Sequence, residues 1–178
     1  MFYATTCRGC MGNWLVSVLA IGATAVLYCG APFHPEPERL RARNDAEKIS
    51  VVGTSPKFLA NLEKAGLQPR LSHDLGSLKG LISTGSPLSP QSYDYVYREI
   101  KQELCLSSMS GGTDIVSCFV IGNPTLPVRR GEMQCKSLAM AIEVWDDHGQ
   151  PLVGEKGELV CTRHFPAMPI GLWNDPHQ

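Results

Sequence analysis

The 178 residues lack a dominant charge: 16 lysines and arginines meet 17 aspartates and glutamates, for a formal net charge of −1. Without a basic field to gather a polyanion, nucleic acid is not an expected partner. No lysine-bearing phosphate loop, internal repeat or low-complexity tract is present. The apolar stretch from Trp14 to Tyr28 is shorter than the ~20 residues a membrane-spanning helix requires. Only Arg8 supplies positive charge before it, which argues against both membrane insertion and a signal peptide. A second cysteine pair is also missing, so Cys7-Arg8-Gly9-Cys10 has half of a zinc-site spacing and nothing to complete it. Seven cysteines, an odd and scattered set, predict buried thiols in a reducing cytosol rather than a disulfide framework.

What remains is the composition of a globular chain, with 43% hydrophobic and 19% charged residues, too apolar for a disordered tail. A domain of this length buries roughly 70% of its unfolded surface, so a real core is expected. Trp14, Leu15, Val18 and Leu19 recur at helical spacing, Gly22 interrupts, and Ala23 to Tyr28 reads as a short buried strand. Residues 29–47, with Pro32, Pro35 and Pro37, read as a surface connection. Ile49 to Val52 is a brief β-branched run. Thr54 or Ser55 then caps a helix with Pro56 in its first turn, Phe58, Leu62 and Ala65 on its inner face, and Gly66 at its end.

Gly80 to Ser83 reads as a strand, and Ser89-Pro90 opens a helix carrying Tyr93, Val96, Tyr97, Ile100 and Leu104. A strand near Leu104 to Ser108 follows. The alternation implies an α/β fold, a parallel sheet with crossover helices, whose ligands bind beyond the strands' carboxyl ends. From Gly131 the pattern becomes β-rich, with strands at Ala139 to Trp145 and Glu158 to Thr162. The expected organisation is an α/β portion over residues 1–130 and a β-rich portion over 131–178.

Met109-Ser110-Gly111-Gly112-Thr113-Asp114 follows a predicted strand. Paired glycines admit close backbone approach and leave amide donors for a phosphate. Thr113 adds a hydroxyl donor, and Asp114 a hard carboxylate suited to magnesium. On spacing alone the same residues also form an ordinary turn. Ser83-Thr84-Gly85-Ser86-Pro87 repeats the placement after the preceding strand, and loops from successive βα units can face one crevice. Asp74, beside His73, is expected to cap a turn rather than to form an acid–base pair. His34, His148, His164 and His177 have no partner at ligand spacing.

Taken as a set, Leu81-Ile82-Ser83-Thr84-Gly85-Ser86-Pro87-Leu88, Tyr93-Asp94-Tyr95-Val96-Tyr97 and Ser110-Gly111-Gly112-Thr113-Asp114-Ile115 resemble consecutive blocks of the acetoacetyl-CoA synthetases, a branch of the adenylate-forming superfamily. Leu126-Pro127-Val128, Arg130-Gly131-Glu132, Gly157-Glu158-Leu159-Val160-Cys161-Thr162, Trp173-Asn174-Asp175 and Asn13-Trp14-Leu15-Val16-Ser17 extend the resemblance over nearly the whole chain. It implies part of the large N-terminal domain of an enzyme that activates acetoacetate with ATP and passes the acyl group to coenzyme A. Gly85, Ser86 and Pro87 then correspond to the loop beside the adenine. Gly111 and Gly112 correspond to the turn near the nucleotide and acyl group, Thr113 to the α-phosphate contact and catalytic residue, and Asp114 to the magnesium ligand.

Ser110 stands where the superfamily commonly has an aromatic residue, Cys29-Gly30 where this branch has Asp-Gly, and Cys7 to Gly12 where it has a tryptophan-rich segment. The resemblance also implies a longer enzyme. Its outer phosphate loop is expected before Met1, and its ribose-binding aspartate and lysine-bearing C-terminal domain after Gln178. A noncatalytic nucleotide-binding or regulatory remnant is the alternative expectation, and a ligase for another short acid a third. The expected location is the cytoplasm.

Overall fold

The computed structural model describes residues 1–4, 9–30, 46–171 and 173–174. Cys7, Arg8, His34, His177, Asp175 and most of the proline-rich connection, with Pro32, Pro35 and Pro37, lie outside the described residues. Four short strands, β1 (Phe2–Tyr3), β2 (Val51–Thr54), β3 (Gly80–Ser83) and β4 (Cys105–Ser108), form one parallel sheet in chain order. Their register sets Thr54 opposite Ser83 and Ser83 opposite Ser108, so the carboxyl ends form a level edge. β2, β3 and β4 each bury their last three residues in succession, as expected of parallel strands covered on both faces.

The pleat sends alternate side chains to two cores. Phe2, Val52, Leu81 and Leu106 face one, where they meet Leu59, Leu62, Tyr93, Tyr95 and Val96. Tyr3, Ile82 and Met109 face the other, where they meet Leu15 of helix α1 (Cys10–Ser17) and Cys118. Each large apolar side chain removed from water in this way contributes about 1.5–3 kcal/mol. α1 runs on into a 3-10 turn at Val18–Ile21 and stops at Gly22, whose φ of 72° is left-handed. Val18 is buried there, but Leu19 is 57% exposed. The strand expected from Ala23 to Tyr28 reduces to one parallel bridge between Val26 and Phe2. That segment lies at the open edge of the sheet, half-buried or exposed along its length, with Leu27 77% exposed.

Helix α2 (Pro56–Lys64) begins where expected, with Ser55 Oγ accepting from the Phe58 N–H at 3.3 Å. Phe58 and Leu62 pack against the core as expected, joined by buried Leu59, whereas Ala65 is exposed because the helix closes there. After the single turn α3 (Pro69–Ser72), Asp74 Oδ1 accepts from the Gly76 N–H at 2.9 Å, the turn cap expected of it. Helix α4 (Pro90–Tyr95) is capped by Ser89, and widens into a π turn at Val96–Ile100. Tyr93 and Tyr95 are both buried, and their hydroxyls donate to the carbonyls of Glu132 at 2.7 Å and Leu67 at 2.9 Å. Burying a phenol is tolerable because its oxygen finds a partner.

Antiparallel pairing begins at Ser110, ahead of the change of pattern at residue 131. β5 (Ser110–Gly112), β6 (Ser117–Ile121) and β7 (Cys135–Lys136) form one three-stranded sheet. β8 (Ile142–Trp145), β9 (Pro151–Leu152) and β10 (Glu158–Cys161) form a second, in the order β10-β8-β9. The strand expected from Ala139 starts at Ile142 instead, because Ala139 sits in a turn with φ of 63°. The architecture is thus the α/β parallel sheet with helices, followed by antiparallel strands, that the sequence predicts. Of the five cysteines whose environment is described, only Cys118 is buried and Cys29 is exposed, so the expectation of generally buried thiols is corrected. Among the described residues no helix is long and apolar enough to cross a membrane.

Candidate functional site

The level carboxyl edge of the sheet releases two loops side by side. After β3, the Thr84 N–H donates to the Thr54 carbonyl at 3.3 Å, and the Met109 N–H after β4 donates to the Ser83 carbonyl at 2.9 Å. The Thr84 hydroxyl then donates to the Met109 carbonyl at 3.0 Å, tying the two loops together at their roots. Gly85 follows with φ of 100°, a conformation that L side chains rarely adopt. A Cβ there would meet no atom within 4 Å, so the backbone faces open space. Ser86 and Pro87 are exposed, and Leu88, 5% exposed, anchors the loop to the core before Ser89 starts α4.

Across from this loop runs β5. Gly111 lies against the backbone of Ser117 and Cys118 so closely that a Cβ would collide with the Ser117 carbonyl oxygen and sit 2.8 Å from the Cys118 Cα. Only glycine fits that approach. The chain then turns at residues 113–116, with Thr113 and Asp114 exposed and Ile115 buried beneath them. Val116 holds φ of 45° in this turn. For a β-branched residue that conformation costs of order 1–3 kcal/mol, a strain found mostly at functional sites.

Two crevices result. Thr84 to Leu88, Ser108 to Gly111, Gly131 and Met133 line the first, of about 300 Å3, the size at which ligand pockets begin. Gly9, Met11, Thr84, Gly85, Gly111, Gly112, Thr113, Ser117 and Cys118 line the second. Thr84, Gly85 and Gly111 belong to both, forming a shared wall. Gly85, Ser86, Pro87 and Gly111 thus meet in the first crevice, and Gly85, Gly111, Gly112 and Thr113 in the second. Asp114 lies next in the turn, outside both linings, with its carboxylate 3.0 Å from where a Gly112 Cβ would stand.

Sequence reasoning missed Gly131 and Met133, which reach the first crevice from a distant segment, and Met11 and Cys118 in the second. The only signal for Gly131 was the Arg130-Gly131-Glu132 block itself. Among the described residues no three or more histidine, cysteine or acidic side chains cluster to hold a metal. Flanking the first crevice, burial pushes the Tyr93 phenol above its usual range. Hydrogen bonding from Arg130 holds the Asp94 carboxyl below its ordinary value.

Residues 7–168 match the family model described as AMP-binding enzyme. The chain is 54% identical over 176 residues to an acetoacetyl-coenzyme A synthetase of Rhizobium meliloti (strain 1021), covering 99% of this chain and 27% of that protein. It is 50% identical to the acetoacetyl-CoA synthetase of Gallus gallus, covering 98% of this chain and 26% of that one. The solved acetoacetyl-CoA synthetase from Streptomyces lividans superposes with a TM-score of 0.92 at 39% identity, over 99% of this chain and 28% of that chain. This chain therefore spans about a quarter of the length of the relatives it matches. With a family model covering nearly all of its residues and a fold shared with such an enzyme, the chain belongs to the AMP-binding enzyme family.

Proposed function

We propose that this chain forms the nucleotide-facing part of an acid–CoA ligase that activates acetoacetate with ATP and delivers it to coenzyme A in the cytoplasm. One observation carries the reading: the Thr84–Pro87 loop and the Gly111–Thr113 strand end share the walls of adjoining crevices at the carboxyl edge of a parallel sheet. Gly85, Ser86 and Pro87 lie beside the adenine, Gly111 and Gly112 let the nucleotide approach the backbone, and Thr113 donates to the α-phosphate. Displacement at phosphorus is catalysed mainly by positioning and by neutralising charge, which suits a rigid loop carrying donors.

Asp114 fits magnesium in the way that ion is usually held, through one or two carboxylates with substrate phosphates and water completing the shell rather than an all-protein cage. Its exposure leaves the carboxylate open to such a shell. When bound, the ion neutralises charge on the phosphates. In the first step a carboxylate oxygen of acetoacetate bonds to the α-phosphorus, and pyrophosphate leaves with the electron pair of the broken P–O bond. In the second, the sulfur of coenzyme A bonds to the acyl carbon as its thiol proton is released to solvent, and the acyl C–O bond breaks so that AMP departs with that oxygen and its electron pair, giving acetoacetyl-CoA.

The test replaces the matching segment of the Rhizobium meliloti enzyme with this chain and measures ATP–pyrophosphate exchange. Exchange that depends on acetoacetate is the expected result. A folded hybrid with no exchange would support a noncatalytic remnant, and exchange driven equally by other short acids would move the substrate assignment.

A further inference from the structure

The first crevice has a wall that does not come from the two loops at the sheet edge. Gly131 and Met133 supply it, in a segment whose own turn is closed by the Glu132 N–H donating to the Arg129 carbonyl at 3.2 Å. Helix α4 makes three contacts to that segment. Arg130 Nε donates to Asp94 Oδ1 at 2.8 Å while its Nη2 donates to Oδ2 at 2.9 Å, a two-pronged pairing that fixes orientation as well as distance. The Tyr93 hydroxyl donates to the Glu132 carbonyl at 2.7 Å. Gly131 itself rests on Pro90, with room for a Cβ only 3.2 Å from the proline Cγ. Three residues of one helix, Pro90, Tyr93 and Asp94, thus hold three consecutive residues, Arg130, Gly131 and Glu132, on the opposite side of the crevice.

We infer that Asp94 and Arg130 are positioning residues that clamp Gly131 and Met133 against helix α4, setting the width of the crevice for a purine nucleotide. This rests on the nucleotide reading above and deepens it. Neither side chain lines the crevice, so neither touches the ligand; both are about half exposed. An exposed ion pair adds little to global stability. The effect of the pair therefore falls on the geometry of the wall and so on nucleotide affinity.

The test is a calorimetric titration of the hybrid enzyme with AMP, its inserted segment in four forms: unaltered, Asp94→Asn, Arg130→Met, and the reversed pair Asp94→Arg with Arg130→Asp. Thermal unfolding is recorded for each. The single variants are expected to weaken AMP binding about threefold to fivefold, the size of an ion-pair coupling, and the reversed pair to recover most of it. Hydrogen exchange at the Met133 amide rises in both single variants, and melting midpoints stay close to that of the unaltered hybrid. Equal AMP affinity in all four forms would overturn the clamp alone. No AMP binding by the folded, unaltered hybrid would overturn the nucleotide reading and the clamp with it. Single variants that lose affinity by unfolding, without recovery in the reversed pair, would also overturn it.

Discussion

At the scale of single residues, the site is defined as much by absent side chains as by present ones. Gly111 passes so close to Ser117 and Cys118 that any Cβ must displace backbone rather than a flexible side-chain tip. Gly111→Ala is therefore expected to cost about 1–3 kcal/mol, the usual range for overpacking, and to disturb the β5–β6 hairpin. Urea unfolding measures the loss, and an unchanged midpoint would refute the close approach. The paired glycines, Thr113 and Asp114 were legible as a candidate because their chemistry is local to six consecutive residues. The wall at Gly131 and Met133 was not. Asp94 and Arg130 are 36 positions apart, and no periodicity or composition brings two such residues together before the sheet exists.

At the scale of elements, legibility followed the strength of local signals. Ser89-Pro90 announced α4 because a capping hydroxyl and a first-turn proline act within the chain itself. Ser89→Ala should cost about 1 kcal/mol, the ordinary value of such a cap, seen as a lower urea midpoint. The Gly80–Ser83 strand was read with its observed ends, while β5 was missed, since two glycines in three residues leave no alternation to read. The strand expected from Ala139 starts three residues late, and Ala65 faces solvent, because a turn and a helix end intervene that only the folded chain reveals.

The π turn after α4 carries Glu99, whose side chain is 11% exposed and meets Arg98 at 2.8 Å and Arg70 at 3.3 Å. Hydrogen bonding from Arg98, then from Arg70, holds its carboxyl below the ordinary value of 4.5. A carboxyl depressed in the folded state contributes stability at pH values above its unfolded pKa, and that contribution is lost as pH falls through the folded pKa. Unfolding midpoints taken from neutrality into the acid range should therefore decline below about pH 4.5. Glu99→Gln should flatten part of that decline; identical curves would contradict the pairing.

For the whole molecule, the sheet matters because it aligns the ends of β3 and β4 and sends both loops to one edge. Two turn-like motifs, ambiguous one at a time, become a candidate site when Thr54, Ser83 and Ser108 stand in register. The order of strands and helices was sufficient to expect that edge, though not the antiparallel sheet that follows it, whose pairing joins segments about fifteen residues apart. The chain spans about a quarter of the length of the relatives it matches, which is why the proposed reaction is measured in a hybrid with the rest of such an enzyme.

Under the proposed function, the Thr113 hydroxyl contacts the α-phosphate of ATP. Acetoacetate-dependent pyrophosphate exchange in the hybrid enzyme, compared between the unaltered segment and Thr113→Ala, tests it most directly. The exposed hydroxyl predicts unchanged folding and a fall of roughly ten- to a hundredfold, the worth of one charge-assisted hydrogen bond in a transition state. Exchange at the unaltered rate in the folded Thr113→Ala hybrid would contradict it.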